Sequence, residues 1–212
     1  MTESGSAKRA LAGADGSVRP KNTGAVALGG GAALALGRVH EVMGDAGDVF
    51  ALHAAARRAG PVIWIADSGA ISSLAPTGVQ DLIDPVRIIA AACVSRTEAL
   101  WAGEQALRTQ GVGAVVIELD GGPDLQTSRR LQIAAEEGGG LGVVLVSGRA
   151  QTSAAQTRWF CSACADPDAK WVWELVKNKS GRIGAWRVAV SGENGGDGDA
   201  PGLVLMAAAT AA

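Results

Sequence analysis

The fold is decided by residues 38–51, RVHEVMGDAGDVFA. The first six of these residues predict a short strand, and a helix is expected over residues 49–59, where a Gly-Pro pair stops it. Two glycines, Gly44 and Gly47, lie in the turn between the strand and the helix. A strand that runs through a glycine-containing turn into a helix is typical of α/β domains that hold phosphates at the turn.

Four further apolar segments follow this unit, with helical or turn-forming stretches between them. They are apolar on both faces, which is typical of strands buried in a parallel sheet. Ser95 and Glu98 form a predicted capping box for a helix that runs to about residue 110, and Asp124 caps another helix that continues through residue 137. The four predicted strands are residues 62–66, 88–94, 114–119 and 141–147.

The last part of the domain changes character. Residues 157–163, 171–177 and 185–190 alternate between apolar and polar side chains like antiparallel strands, with a turn over residues 178–184. A parallel core followed by antiparallel strands predicts a three-layer α/β/α fold. Its sheet is expected to be mostly parallel, with antiparallel strands at the C-terminal edge.

Composition indicates one folded domain with irregular ends. The chain has 212 residues, of which 48% are hydrophobic and 19% are charged. This is enough apolar material for one core, which we place at residues 24–190. Residues 1–23 are rich in Gly, Ser, Ala and charge and predict a flexible leader, and residues 191–212 predict a flexible Gly/Asp-rich spacer followed by a short apolar tail.

Charge and cysteine usage narrow the class of protein. The formal net charge of −2 argues against a chain that coats nucleic acid along its whole surface. Three cysteines, an odd number, argue against a disulfide framework and favour a reducing compartment. No apolar segment has the length of a signal peptide or a membrane span, so a cytoplasmic protein is expected.

The turn lacks the residues that bind ATP. A phosphate-binding loop supplies backbone N–H groups, a Lys that neutralises the phosphates and a Ser or Thr that carries magnesium. The predicted site, Gly44-Asp45-Ala46-Gly47-Asp48, has neither the Lys nor the Ser or Thr. Each of its two carboxylates would repel a triphosphate a few ångströms away by about 1 kcal/mol in water, and by more if desolvated. A nucleotide site and a scaffold turn that binds nothing both stay open here, and the pattern favours the second.

Carboxylates also end a later strand. Glu118 and Asp120 lie where the strand at residues 114–119 ends, and an acidic residue at such a place holds the metal's water shell in an ATPase. Carboxylates at strand ends are common, so this signal is weak. We predict a vestigial, inactive nucleotide site formed by Gly44, Asp45, Ala46, Gly47, Asp48, Glu118 and Asp120, with no catalytic residue, no cofactor and no metal.

Several segments resemble known proteins. Residues 28–42, LGGGAALALGRVHEV, resemble the opening motif of RecA proteins, and residues 175–179, LVKNK, are similar to a late RecA strand. Residues 99–108, ALWAGEQALR, and residues 125–136, LQTSRRLQIAAE, resemble helices of the ImuA family, RecA-like accessory factors of inducible bacterial mutagenesis. The resemblance runs over about residues 26–190 and implies a RecA-like core.

The resemblance also implies a function and partners. The family acts in the SOS response, in error-prone translesion synthesis. The expected partners are an ImuB-like homologue of Y-family polymerases and an error-prone DnaE-type polymerase, with RecA and single-stranded DNA as further candidates. RecA-type ATPases place a water-activating glutamate just after their second strand. Asp67 follows that strand here and no glutamate does, so hydrolysis is not expected.

Basic residues mark the predicted contact surfaces. Single-stranded DNA is bound by charge on its backbone and by rings that stack on its bases, and here four tryptophans lie among the basic residues after Arg149. Trp171 and Trp173 share a strand face, so they equally fit a core. The pair Cys161 and Cys164 lacks the second pair that a structural zinc needs. The predicted partner or DNA contacts are Arg129, Arg130, Arg149, Arg158, Lys177, Lys179 and Arg182.

Three functions stay open on the sequence. The favoured one is a non-catalytic RecA-like adaptor in DNA-damage-induced mutagenesis. The second is a diverged RecA/RadA-type ATPase that uses Glu118 or Asp120 with a Lys supplied from elsewhere. The third is a cell-division inhibitor resembling SulA, which shares a Lys-less RecA-like fold.

Overall fold

The computed structural model describes residues 24–67, 69, 71, 74, 76–191 and 202–207. Within them, no helix has the length and apolar character that crossing a bilayer requires. The helices are α1 (Gly47–Ala56), α2 (Pro76–Val79), α3 (Arg96–Arg108) and α4 (Leu125–Gly138), with a 3-10 turn at Pro85–Arg87. The strands are β1 (Ala25–Gly29), β2 (Ala32–Ala35), β3 (Arg38–Met43), β4 (Val62–Asp67), β5 (Ile88–Cys93), β6 (Ala114–Asp120), β7 (Leu141–Ser147), β8 (Thr157–Asp166), β9 (Ala169–Asn178), β10 (Gly184–Ser191) and β11 (Gly202–Ala207).

One nine-stranded sheet organises the domain, in the order β11-β10-β9-β8-β3-β7-β6-β4-β5. Strands β3 to β8 run parallel to one another, and β9, β10 and β11 continue the sheet from β8 in antiparallel fashion. The predicted α/β fold, mostly parallel with an antiparallel C-terminal edge, is confirmed. One strand differs from the prediction: β8 was grouped with the antiparallel strands, but it is parallel to β3 and forms the junction between the two halves.

Apolar side chains on both faces of the parallel strands give the sheet two covered faces. On one face Trp64 and Val116 pack with Phe50 of α1 and with the apolar residues of a hairpin formed by β1 and β2. On the other face Ile117 packs with Leu131 of α4 and with residues of α3. The helices and the sheet therefore form three layers, as the sequence predicted.

Side-chain caps begin α3 and α4 where the sequence places them. The Ser95 Oγ accepts a hydrogen bond from the Glu98 N–H at 3.2 Å, and the Asp124 Oδ1 accepts one from the Thr127 N–H at 2.7 Å. The capping box differs in one bond, because the Glu98 carboxylate accepts from the N–H of Val94 at 2.8 Å and not from that of Ser95. The cap thus ties the end of β5 to the start of α3.

The β1–β2 hairpin was not predicted, and two buried histidines fasten it to the core. The Nε2 of His53 lies 2.9 Å from the Leu28 carbonyl, and the Nε2 of His40 lies 3.0 Å from the Ala35 carbonyl, so each ring donates to the hairpin. The Nδ1 of His40 accepts from the Thr157 hydroxyl at 2.7 Å. Burial, with a neighbouring arginine charge as a smaller cause, lowers the pKa of each histidine from 6.5 to about 4.

These two histidines make stability depend on pH. The folded protein keeps both rings neutral while the unfolded chain protonates them near pH 6.5, so stability is full above that pH and falls as the pH drops toward 4. At pH 5 each ring is expected to lower the free energy of unfolding by about 2 kcal/mol. Urea denaturation at pH 7 and pH 5 measures the loss. In His53→Gln about half of the pH dependence should disappear; an unchanged dependence would contradict this assignment.

The C-terminal segment Gly202–Ala207 was assigned to an apolar tail, but it forms β11 at the edge of the sheet. It pairs antiparallel with β10, and Leu203 and Leu205 are buried in the core. The tail assignment was therefore wrong for these residues. The alternate apolar residues of β11 lie on the side of the sheet that the β1–β2 hairpin covers, and their burial holds the strand at the edge. The predicted leader, residues 1–23, and residues 192–201 and 208–212 lie outside the described residues.

Candidate functional site

A cavity of about 630 Å³ opens at the carboxyl ends of the parallel strands. Strand β3 reaches it through Met43, and β7 reaches it through Ser147. Ligands of open α/β sheets bind at this edge, because the loops that follow the parallel strands meet there. Six of the seven residues of the predicted nucleotide site line the cavity, namely Gly44, Asp45, Gly47, Asp48, Glu118 and Asp120.

The turn between β3 and α1 is closed on itself. Two residues separate Gly44 from Gly47, whereas a phosphate-binding loop places four between its glycines. Ala46, the seventh predicted residue, is buried under the turn, and its N–H donates to the Cys161 carbonyl at 3.1 Å. The Gly47 N–H donates to the Gly44 carbonyl at 3.3 Å. Two N–H groups that a phosphate-binding loop would direct at its ligand are therefore occupied within the protein.

The turn is also pressed against β8. Gly44 has φ +94°, and a Cβ at this position would lie 2.0 Å from the Cys161 carbonyl oxygen, so glycine is required for both conformation and space. The Asp45 carboxylate accepts a hydrogen bond from the Ala163 N–H at 3.0 Å. These contacts hold the turn in one conformation. The turn would have to break them to rearrange around a phosphate group.

The charge of the cavity is uniformly negative. Asp48 lies in the first turn of α1 and accepts from the Val49 N–H at 2.8 Å, and Asp67 ends β4 at the same edge. Asp67 was not among the predicted site residues, although its place at the end of a parallel strand was a signal for it. No Lys or Arg is among the described residues that line the cavity. The carboxylates are Asp45, Asp48, Asp67, Glu118 and Asp120.

Glu118 shows the effect of this arrangement. Burial raises the pKa of its carboxyl group, and the charges of Asp48 and Asp67 raise it further. A hydrogen bond from the buried Trp64 indole N–H acts in the opposite direction. The cavity therefore opposes additional negative charge even from its own carboxylates, and a triphosphate would meet the same repulsion.

Two of the predicted contact residues are engaged in ion pairs within the domain. Arg158 lies 2.6 Å from the carboxylate of Glu41, which is buried in β3. Arg130 of α4 pairs with Glu104 of α3, a carboxylate that is also largely buried. These two arginines connect structural elements, so their charge is partly neutralised before any partner arrives.

The other predicted contacts fall in two groups. The ammonium groups of Lys177 and Lys179 donate to the carbonyls of Ser153 and Ala154 at 2.8 and 2.5 Å, so they hold the segment before β8 against β9. Lys179 also lines a groove of about 370 Å³ with Arg129. The structure brings these two residues together, whereas Arg149 and Arg182 are exposed elsewhere in loops.

The tryptophans lie mainly in the core. Trp159 and Trp173 are fully buried and contact Phe50 of α1, with ring centroids 5.0 and 4.8 Å from the phenyl ring. Trp186 donates its indole N–H to the Gly30 carbonyl of the hairpin turn at 2.9 Å, and Trp171 is partly buried against the same core. Their interpretation as rings that stack on DNA bases was therefore wrong for Trp159 and Trp173.

The paired cysteines have packing contacts. Cys161 is buried, and burial raises the pKa of its thiol. The Sγ of Cys164 lies 3.2 Å from the Ala169 carbonyl. Within the described part of the chain, no group of three or more His, Cys, Asp or Glu side chains is arranged to hold a metal ion.

Comparison with known proteins identifies relatives. The chain is 36% identical over 151 residues to the protein named Protein ImuA in two strains of Caulobacter vibrioides, NA1000 / CB15N and ATCC 19089 / CIP 103742 / CB 15. The chain is similar to ImuA over this stretch. This confirms the resemblance to the ImuA family that the helix motifs indicated. The match covers 61% of this chain and 60% of ImuA, so the chain spans less than two thirds of that relative's length. No family profile matches the chain.

Proposed function

We propose that this chain is a non-catalytic adaptor in DNA-damage-induced mutagenesis. It supports error-prone translesion synthesis by contacting protein partners. Similarity to ImuA over 151 residues supports the cellular role. The observation that carries the non-catalytic part is the acidic cavity, where a closed turn and five carboxylates lie at the edge that a nucleotide would use.

The electrostatics favour an adaptor over an ATPase. Two like charges 4 Å apart repel by about 1 kcal/mol in water and about 4 kcal/mol near a protein surface. A triphosphate in the cavity would face Asp45, Asp48 and Glu118 together, and the turn offers it no Lys. For a diverged ATPase, a partner would have to supply both the cation and the missing backbone donors.

The proposed partners are an ImuB-like homologue of Y-family polymerases and an error-prone DnaE-type polymerase, in the cytoplasm. RecA and single-stranded DNA are further candidates. The surface fits contact with a protein partner better than stacking on DNA bases, because Trp159 and Trp173 are fully buried. The basic residues Arg129 and Lys179, which share a groove, remain available for either class of contact.

A complementation experiment tests the proposal. A strain from which the gene has been deleted should lose damage-induced mutagenesis, and the wild-type gene should restore it. Tagged protein from damaged cells should recover the ImuB-like polymerase homologue. Normal induced mutagenesis in the deletion strain would refute the proposed role. Septum arrest on overexpression, with recovery of a division protein, would favour the inhibitor instead.

A further inference from the structure

We infer that the uncovered face of strands β8 to β11 is a docking surface for a basic amphipathic helix of a partner protein. This inference deepens the proposed adaptor function and rests on it. The surface is called the open face below. It comprises Phe160, Val172, Val176, Ala189, Val204 and Met206.

The alternation of side chains defines the open face. In β8, Trp159 and Cys161 are buried on the side of α1 and the hairpin, so Phe160 between them lies on the opposite side. In β11 the same holds for Leu203 and Leu205, which are buried, so Val204 and Met206 also lie on the opposite side. All three exposed residues therefore share the side of the sheet on which α3 and α4 pack.

Neither of these helices extends over the C-terminal strands. Among the described residues, the core under α3 and α4 draws on β3 to β7 and includes no residue of β8 to β11. Large apolar side chains are left in solvent as a result: Phe160 is 41% exposed, Val176 51%, Val204 45% and Met206 40%. Val172 and Met206 flank Arg187 in adjacent strands, so the apolar residues extend across neighbouring strands.

The dimensions suit one helix. Four strands spaced about 4.8 Å apart present a face about 14 Å wide, and an α-helix with its side chains is about 10–12 Å across. One added helix would extend the layer already formed by α3 and α4 over the remaining strands. Sheet faces in three-layer α/β folds are normally covered in this way.

The acidic cavity beside the open face selects a basic occupant. On the face itself Glu174 and Lys170 are both exposed and offset each other, and Asp168 is exposed at the β8–β9 turn. Arg187 pairs with Asp166 and so adds little free positive charge. Phe160 lies both on the open face and in the lining of the acidic cavity, so the apolar surface leads directly to the five carboxylates. A helix with one apolar stripe and flanking Lys or Arg residues complements both features.

The sequence of the connection between β10 and β11 does not match such a helix. Residues 192–201 read GENGGDGDAP, which contains no large apolar side chain and three acidic ones. An apolar stripe with basic flanks is absent from the sequence of this connection, and a helix of a protein partner is the occupant to which we commit.

A pair of synthetic peptides tests the inference on the full chain. One peptide is a Leu/Lys amphipathic helix of about five turns, and the other carries Glu in place of Lys. Fluorescence anisotropy should show that the Leu/Lys peptide binds, and that Phe160→Asp with Met206→Asp weakens its binding about tenfold or more. The matched control is Leu125→Asp with Ile133→Asp on α4, which adds the same two charges at residues 48% and 52% exposed and should leave binding unchanged. The Leu/Glu peptide should bind about tenfold more weakly or worse.

The remaining outcomes separate this inference from the proposed function. Hydrogen exchange should show protection by the Leu/Lys peptide at the amides of β8 to β11; protection confined to the acidic cavity, or equal binding by the double variant, would overturn the inference. Concentration-dependent dimerisation that the double variant abolishes would also overturn it, since the occupant would then be a second copy. Peptide binding at the open face in a protein that fails the mutagenesis assay would refute the proposed function while leaving the surface in place.

Discussion

Replacement of Arg158 by Met is expected to lower the free energy of unfolding by about 3–5 kcal/mol. Arg158 neutralises Glu41, which is 1% exposed in β3 near the middle of the sheet. The Oε1 of Glu41 has no hydrogen-bond partner within the described structure. No second donor is therefore in place to compensate the carboxylate once the guanidinium is removed. Lys177 is close enough for the Glu41 charge to act on its pKa, which argues for the lower part of that range. Urea denaturation measures the effect.

Two further variants separate the buried charge from general surface effects. Arg149→Met removes an exposed arginine in the loop before β8 and should change stability by less than about 0.5 kcal/mol. The double variant Glu41→Leu with Arg158→Met removes both charges and should recover most of the loss, because no uncompensated charge remains buried. If the double variant were as unstable as the single one, packing and not charge would be the cause.

Substitution of Gly44 by Ala is expected to destabilise the protein by more than about 4 kcal/mol and to reduce its soluble yield. The backbone conformation at φ +94° is strained for any residue with a Cβ, and that atom would lie 2.0 Å from the Cys161 carbonyl oxygen. Relief would require the turn to separate from β8, which would break the hydrogen bond from Ala46 to Cys161. Circular dichroism on thermal and urea unfolding provides the measurement.

Gly31→Ala is the matched control for this substitution. Gly31 also has a left-handed conformation, with φ +80°, but a Cβ there would meet no described atom within 4 Å. This substitution should lower the free energy of unfolding only by the cost of the left-handed backbone conformation, about 1–2 kcal/mol. Equal losses in the two variants would show that the contact between the turn and β8 contributes nothing to stability.

The parallel core could be predicted because its information is local. Strands such as residues 114–119 and 141–147 are continuous apolar runs, and Asp124 caps α4 within its own segment. The acidic cavity followed from the same pattern, since Glu118 and Asp120 end a predicted strand and the turn precedes a predicted helix. Six of the seven residues predicted for the nucleotide site line one cavity, and their role as a vestigial nucleotide site stays a prediction.

What the sequence did not indicate depends on distant contacts. β1 and β2 are short and rich in Ala, and they are held by carbonyl contacts to His53 and His40 from other elements. β11 follows ten Gly- and Asp-rich residues, so its pairing with β10 has no local signal. The sequence predicted that Arg158 contacts a partner at the surface. Its actual partner, Glu41, lies 117 residues away in the chain, so no local pattern indicated the ion pair. Burial of the tryptophans likewise emerges only once the hairpin and α1 cover the sheet.

The most direct test of the account is a titration of the purified full chain with a fluorescent ATP analogue and magnesium, with and without single-stranded DNA. The acidic cavity and its closed turn predict no saturable binding up to about 1 mM nucleotide, which corresponds to a binding free energy no better than about −4 kcal/mol. They also predict no hydrolysis above background in the same samples. Saturable micromolar binding that unlabelled ATP displaces, with DNA-stimulated hydrolysis, would contradict the account and restore the diverged ATPase as the leading function.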